Sequence, residues 1–186
     1  MSENQYICVR HGQTPWNKNG IMHGQYDIPL NYTGREQAKK VSEKLKEDFF
    51  DICFCSPLKR AKTTAALILL HHRNTRIVYD DRLKELSKGM LEGRNFNSEK
   101  LLKDENRRFL AKFGIESKVD FFARVKSFID EVERDYFDKR MLIVSHSGTM
   151  KMIYFYFNPP NIPLHKAYYQ IHIENCKVYN MNKFSL

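Results

Sequence analysis

Two apolar runs in this chain each end on a histidine. "ICVRHG" delivers Arg10 and His11 and then Gly12, while "RMLIVSHSG" delivers His146 and then Ser147 and Gly148. A neutral imidazole can attack phosphorus and carry the phosphoryl group as a phosphohistidine, dividing one hard transfer into two easier ones. Such a transfer asks for positioning and for positive charge around the equatorial oxygens. Arginine suits the task because its fork makes bidentate bonds and stays protonated, which makes Arg10 and Arg60 candidates. Gly12 would remove a side chain where the phosphate must come close. His146 could donate to a phosphoryl oxygen, and the helix start at Ser147-Gly148 would favour an anion. The leaving oxygen still needs a proton, for which "RLKELSKGMLEG" offers Glu85 and Glu92.

These residues need elements to hold them. Residues 6–10 read as a strand, followed by a loop rich in Gly, Asn and Pro to about residue 32. "TGRE" then has the form of a capping box with Thr33 as N-cap and Glu36 reaching back, opening a helix that buries Ala38, Val41, Leu45 and Phe49. "DICFCS" and "RIVYD" read as strands, with a helix between them entered through Pro57. Residues 81–97 look irregular, and helical patterns return at 98–112. Phe122, Val125, Ile129, Val132 and Tyr136 mark an amphipathic helix. "RMLIVSH" is a buried strand followed at once by a helix, in which "YFYF" reads as core packing. The tail "YYQIHIENCKVYNM" alternates like a hairpin of two strands.

Strands alternating with helices predict a single α/β domain over 1–186, a three-layer sandwich with a mostly parallel central sheet and helices on both faces. "ICV" and "LIV" would be central strands, covered on both sides. In such sheets ligands bind beyond the carboxyl ends of the strands, where both histidines fall.

Composition narrows the classes. Of 186 residues, 42% are hydrophobic, and no apolar stretch is long enough to span a membrane. "MSENQYICV" has no basic flank and no long apolar segment, so no secretory signal is expected and the cytoplasm is. Four cysteines fit reduced thiols, since the "CFC" spacing is too short for a structural zinc site. His71 and His72, at a helix end, suit the dipole rather than a metal. The 31 Lys and Arg against 22 Asp and Glu leave a charge of +9, but the cations are scattered among acids without a basic tail. That distribution argues against nucleic acid and allows a field that draws small anions inward. Neither metal nor cofactor is expected.

Taken together, "RHGQTPWN", "GQYDIPLNYTGREQA", "SPLKRAKTTA", "LKELSKGMLEG" and "IVSHSG" resemble the histidine phosphatase superfamily, in the branch that includes phosphoglycerate mutases. The blocks stand in the family's order and span nearly all of the chain up to the tail. The resemblance implies that His11 is the phosphorylated nucleophile and that Glu85 is the proton donor that later activates water. It implies that Arg10, Arg60 and His146 hold the phosphoryl group, that Asn17 adds a hydrogen bond and that the His23-Gly24 turn borders the substrate. Mutases of the family carry "ERHYG" after the acid and a long helical insertion, whereas Leu86, Ser87 and Lys88 follow Glu85 here. A phosphatase acting on a small phosphorylated metabolite is therefore expected ahead of a mutase or a silent phosphate-binding scaffold. His23 stands where many family phosphatases have Gln, and Ser147 where the family usually has Gly. Lys88 adds positive charge near the acid, with a second anionic group on the substrate as one use for it.

Overall fold

A computed structural model describes residues 5–95 and 107–181. Its centre is a five-stranded sheet made of β1 (Gln5–Arg10), β2 (Ile52–Cys55), β3 (Arg76–Tyr79), β4 (Arg140–Ser145) and β5 (Val178–Asn180), in the order β3-β2-β4-β1-β5. β1, β2, β3 and β4 run parallel, and β5 joins β1 antiparallel.

Side chains alternate along the two central strands, so each strand serves two cores. Ile7, Val9, Leu142 and Val144 face one side, where α2 (Tyr32–Leu45) and α3 (Lys59–Ile68) bring Val41, Leu45, Ala61, Ala65 and Ile68. Tyr6, Cys8, Met141 and Ile143 face the other, against α5 (Lys118–Asp135) and α6 (Ser147–Phe157). Helices therefore cover both faces, as the strand-helix alternation predicts. Short helices complete the fold: α1 (Pro15–Lys18), α4 (Arg107–Phe113) and α7 (Leu164–Ala167).

Several local expectations are corrected. The N-cap of α2 is Asn31, not Thr33: its side chain reaches the Gly34 amide at 2.8 Å, and Glu36 pairs with Lys39 instead. Phe49 lies past the helix end and is 68% exposed, while its neighbour Phe50 turns into the core. Pro57 precedes α3 rather than opening it, since Leu58 is the N-cap. α5 buries Phe121 and Phe128 with Val125, Ile129 and Val132; Phe122 and Tyr136 are only half-buried. The tail forms one strand instead of a hairpin. β1 has a single open edge, which β5 fills, and the Ile173 carbonyl is occupied by the Arg10 guanidinium at 2.7 Å. Of the helical pattern at 98–112, residues 98–106 lie outside the described residues.

Candidate active site

The β1–β4 register creates the site. Arg10 lies opposite Ser145, so His11 and His146 are the next residue of two adjacent parallel strands. The His11 amide donates to the Ser145 carbonyl at 2.9 Å, and the two imidazoles stand 5.1 Å apart, edge to face. From there the chain departs to opposite faces, through α2 after β1 and α6 after β4, which opens a crevice between the strand ends.

His11 is 3% exposed, and its Nδ1 lies 2.8 Å from the Gly12 carbonyl. A carbonyl only accepts, so Nδ1 carries the proton and Nε2 keeps a lone pair. Burial first, then the charges of Arg60 and Arg10, hold the His11 pKa well below the usual histidine range. The ring is thus neutral at pH 7 with a fixed tautomer, the state a nucleophile needs.

Arg60 is fully buried in the first turn of α3. Its Nη1 donates to the Tyr26 carbonyl at 2.7 Å, Nη2 to the Gly24 carbonyl at 2.8 Å and Nε to Nδ1 of His146 at 3.3 Å. Burial pushes its pKa down to about 10, with the charge of Glu85 pulling the other way. Because His146 accepts at Nδ1, its proton sits on Nε2, 2.7 Å from the Ser56 hydroxyl. Both nitrogens of His146 are therefore engaged within the protein, and the ring, wholly buried, lies behind the cavity wall. Arg10 is held by one arm on the Ile173 carbonyl, and its buried Nε has no hydrogen-bond partner. A buried guanidinium N–H without an acceptor is an open place for an anion.

The two candidate acids separate. Glu85 lines the cavity, its Oε2 accepting from the Gly148 amide at 3.1 Å and its Oε1 from the Leu86 amide at 2.8 Å. Glu92 sits beneath the neighbouring turn, where Oε1 accepts from the amides of Gln25 and Lys88 at 2.8 and 3.0 Å. Gly24 has φ +51°, and a Cβ there would come within 2.0 Å of Oε1 of Glu92. Glu92 is thus a brace for the turn that presents the Gly24 carbonyl to Arg60.

The remaining candidates border the same space. Thr14 caps α1, and the carboxamide oxygen of Asn17 accepts from the Thr14 amide at 3.1 Å to complete a capping box, which leaves the Asn17 NH2 as its donor. His23 bonds the Thr14 hydroxyl, and burial together with Arg60 and Lys88 lowers its pKa to about 3. Asn17, His23, Gly24, Ser147 and Lys88 all line a cavity of about 380 Å³ with Arg10, His11, Arg60 and Glu85. Gly12 does not: a Cβ there would strike the Gly34 carbonyl at 2.3 Å, so its small size serves the packing of the loop on α2. Among the described residues no cluster of His, Cys, Asp or Glu is placed to hold a metal ion.

Sequence reasoning missed the opposite wall and one support. Lys118, Lys151, Tyr168, Tyr169 and His172 close the far side of the cavity. Their spacing carries no motif, since two helical lysines and a tyrosine pair read as ordinary surface. Arg124 donates to the carbonyls of Arg82, Lys84 and Glu85 at 2.7–3.0 Å while paired with Glu116. The available signal was its place between Phe121 and Val125, on the buried side of α5.

Comparison with known proteins shows the family and the fold. The pattern of the histidine phosphatase superfamily (branch 1) matches residues 6–183. Phosphoserine phosphatase 1 of Hydrogenobacter thermophilus is 32% identical over 155 residues, covering 80% of this chain and 73% of that protein. A broad-specificity phosphatase of Saccharomyces cerevisiae is 33% identical over 168 residues, covering 86% and 73%. Among solved structures, phosphoserine phosphatase of Entamoeba histolytica in complex with 3-phosphoglyceric acid superposes with a TM-score of 0.77 at 27% identity, covering 94% of this chain and 88% of that one.

Proposed function

This chain belongs to the histidine phosphatase superfamily, and from that premise we propose that it hydrolyses a small phosphomonoester through a phosphohistidine on His11, without a metal. One observation carries the reading. His11 is neutral, with Nδ1–H tied to Gly12 and Nε2 bearing the lone pair, beside an Arg10 Nε–H that lacks an acceptor.

In the first step Nε2 of His11 attacks phosphorus in line with the leaving oxygen. The N–P bond forms as the P–O bond breaks, and a proton from Glu85 passes to the departing oxygen. In the second step water attacks from the vacated side and gives its proton to the Glu85 carboxylate. The N–P bond then breaks, releasing orthophosphate and neutral imidazole. Arg10 and Arg60 hold the equatorial oxygens, aided by the Asn17 NH2 and by Ser147 at the head of α6. His146 acts through Arg60, fixing the guanidinium plane. His23 and Gly24 border the ester group.

A small phosphorylated metabolite fits a cavity of about 380 Å³. The names of the relatives, phosphoserine phosphatase and broad-specificity phosphatase, fit it too. No helix among the described residues is long and apolar enough to cross a membrane. Four unpaired cysteines support a reducing, cytoplasmic setting.

The test is phosphate release from a panel of small phosphomonoesters, with chelator present, by the natural chain and by His11→Ala. Release that survives chelator, vanishes in His11→Ala and passes through an acid-labile labelled phosphoenzyme is expected. Loss of activity to chelator, or turnover by His11→Ala, overturns the mechanism. Isomerisation of 3-phosphoglycerate without phosphate release would make the protein a mutase.

A further inference from the structure

We propose that Asn175, Thr64 and Gln37 are positioning residues for the nucleophile. From three separate elements they pin the two peptides that follow His11, and so keep the imidazole proton on Nδ1. The proposal rests on the phosphatase reading, because a reaction at Nε2 is what gives that tautomer a use.

His11 depends on a carbonyl of the most pliable residue type. Its Nδ1 donates to the Gly12 oxygen at 2.8 Å, and glycine has the widest choice of backbone angles. The tautomer of a neutral imidazole is set by the hydrogen bond one of its nitrogens makes. If the Gly12 oxygen swung away, the proton could move to Nε2 and remove the lone pair that attacks phosphorus. The position of one backbone oxygen therefore decides whether His11 can act as a nucleophile.

Each of the two peptides around Gly12 is held at both ends. In the His11–Gly12 peptide, the carbonyl accepts from Nδ2 of Asn175 at 2.6 Å and the amide donates to the Thr64 hydroxyl at 3.0 Å. In the Gly12–Gln13 peptide, the carbonyl accepts from His11 and the amide donates to Oε1 of Gln37 at 2.9 Å. A peptide is planar, so a partner on its oxygen and another on its N–H fix the plane. Two fixed planes leave Gly12, between them, no freedom to turn.

The three side chains come from the tail, α3 and α2. The Thr64 hydroxyl gives its own proton to the Arg60 carbonyl at 2.7 Å, so toward Gly12 its oxygen can only accept. Thr64 is fully buried one turn beyond Arg60 on α3, which places both on one side of that helix. Asn175 sits in a turn fastened to the end of β1. The Cys176 amide donates to the Arg10 carbonyl at 3.0 Å, and the Ile173 carbonyl accepts from the Arg10 guanidinium at 2.7 Å. Cys176 has φ +52°, in the left-handed region that a side chain disfavours. Such a conformation persists where the surroundings over-determine it, and here the turn delivers the Asn175 carboxamide to His11.

The test reads the tautomer and one chemical step separately. In protein labelled with nitrogen-15 at histidine, long-range proton–nitrogen spectra at neutral pH should show His11 protonated on Nδ1 alone, the signal being assigned with His11→Ala. Asn175→Leu, Thr64→Val and Gln37→Leu each remove one tether, and each should add a population protonated on Nε2. The kcat/KM for p-nitrophenyl phosphate, set by the steps up to phosphoenzyme formation, should fall about tenfold in each, the scale of one hydrogen bond. Hydrolysis of the phosphoenzyme should hold its rate, since phosphorus on Nε2 leaves Nδ1 as the one place for the proton. Thr64→Ser keeps the hydroxyl and should restore both readings. Circular dichroism checks folding; where Thr64→Val fails to fold, the half-buried Asn175 decides. Folded variants that keep a single Nδ1 tautomer overturn the proposal. So does an equal loss in phosphoenzyme formation and hydrolysis, the mark of a merely structural role. A natural chain idle on every phosphomonoester, with the tautomer still shifted in the variants, brings down the phosphatase reading instead.

Discussion

Glu85 occupies the head of α6: its Oε2 accepts the Gly148 amide at 3.1 Å, so the anion at that helix start is the protein's own carboxylate. The approach depends on Gly148, where a Cβ would fall 2.1 Å from Oε1 of Glu85. Gly148→Ala should displace the carboxylate and leave the sheet untouched. We expect kcat to fall roughly a hundredfold, the scale of an ångström-sized misplacement at a reacting centre, with KM little changed. The thermal midpoint should be lowered as well, because the Cβ also meets the Tyr168 hydroxyl at 2.6 Å and the buried Phe121 ring at 2.9 Å. A fall in stability with kcat unchanged would instead mark Gly148 as a packing residue alone.

Glu85→Gln keeps one of the two backbone hydrogen bonds, because its NH2 cannot accept from the second amide, and removes the transferable proton. The deficit should follow the leaving group. Alkyl phosphates, whose alkoxide must be protonated, should lose about a hundredfold or more in kcat, and p-nitrophenyl phosphate, whose phenolate leaves unaided, much less. Measuring kcat across phenyl phosphates of graded acidity reads this directly. A uniform loss would place the proton donor elsewhere.

The parts of this fold written in local pattern were legible. The apolar runs "ICV" and "LIV" announce central strands because both of their faces are covered. Once those strands are parallel neighbours, the residues after them must meet, which is how His11 and His146 could be paired without a structure. What stayed hidden depends on which backbone atoms come close in three dimensions. Asn31 and Thr33 are both acceptable caps, and only the approach of Gly34 to the Gln13 backbone shows which one is used. Arg124 looks like a surface residue until three carbonyls from the Glu85 loop fold over it. Lys118 and Lys151 are far apart in the chain, yet each Nζ lies close to the centre of the Tyr168 ring, at 5.7 and 4.4 Å.

The buried imidazoles make stability depend on pH. His11 and His146 are both held well below the usual histidine range, chiefly by burial and then by Arg60. The unfolded chain protonates them below about pH 6.5 while the folded chain does not, so the unfolded state binds more protons there. Stability is thus fully present above pH 6.5 and is lost as pH falls, each ring adding a slope of about 1.4 kcal/mol per pH unit. His23, lowered to about 3, acts in the same direction. Urea unfolding at pH 7.5, 6.5 and 5.5 checks the sign. A flat profile over that window would mean that the rings are charged in the folded protein.

Arg60 serves the fold as well as the phosphate. Its removal strands the carbonyls of Gly24 and Tyr26 and leaves Nδ1 of His146 without a donor. Arg60→Met should therefore destabilise by about 3 kcal/mol, the scale for buried acceptors left unpaired, and should abolish phosphate binding. Arg60→Lys restores charge, but one ammonium cannot reach two carbonyls and an imidazole. We expect it to recover a minor part of the stability and little of the kcat/KM, as read by urea midpoints and steady-state kinetics side by side.

Gly12 distinguishes packing from catalysis beside the nucleophile. Its place between His11 and the loop suggests room for a phosphate, yet the atom that an added Cβ would strike is the carbonyl oxygen of Gly34, at 2.3 Å. Gly34 in turn has no room for a Cβ, which would meet the Gln13 carbonyl at 2.1 Å. Both contacts are backbone on backbone, so neither side can swing away as a flexible side chain would. Gly12→Ala and Gly34→Ala should each destabilise by about 2–3 kcal/mol, at the upper end of overpacking. The double substitution should cost less than the sum, because each relieves the contact by the same shift of α2. Equilibrium unfolding of the two single variants and the double one tests this. Full stability with weakened phosphate binding in Gly12→Ala would return Gly12 to the phosphate site.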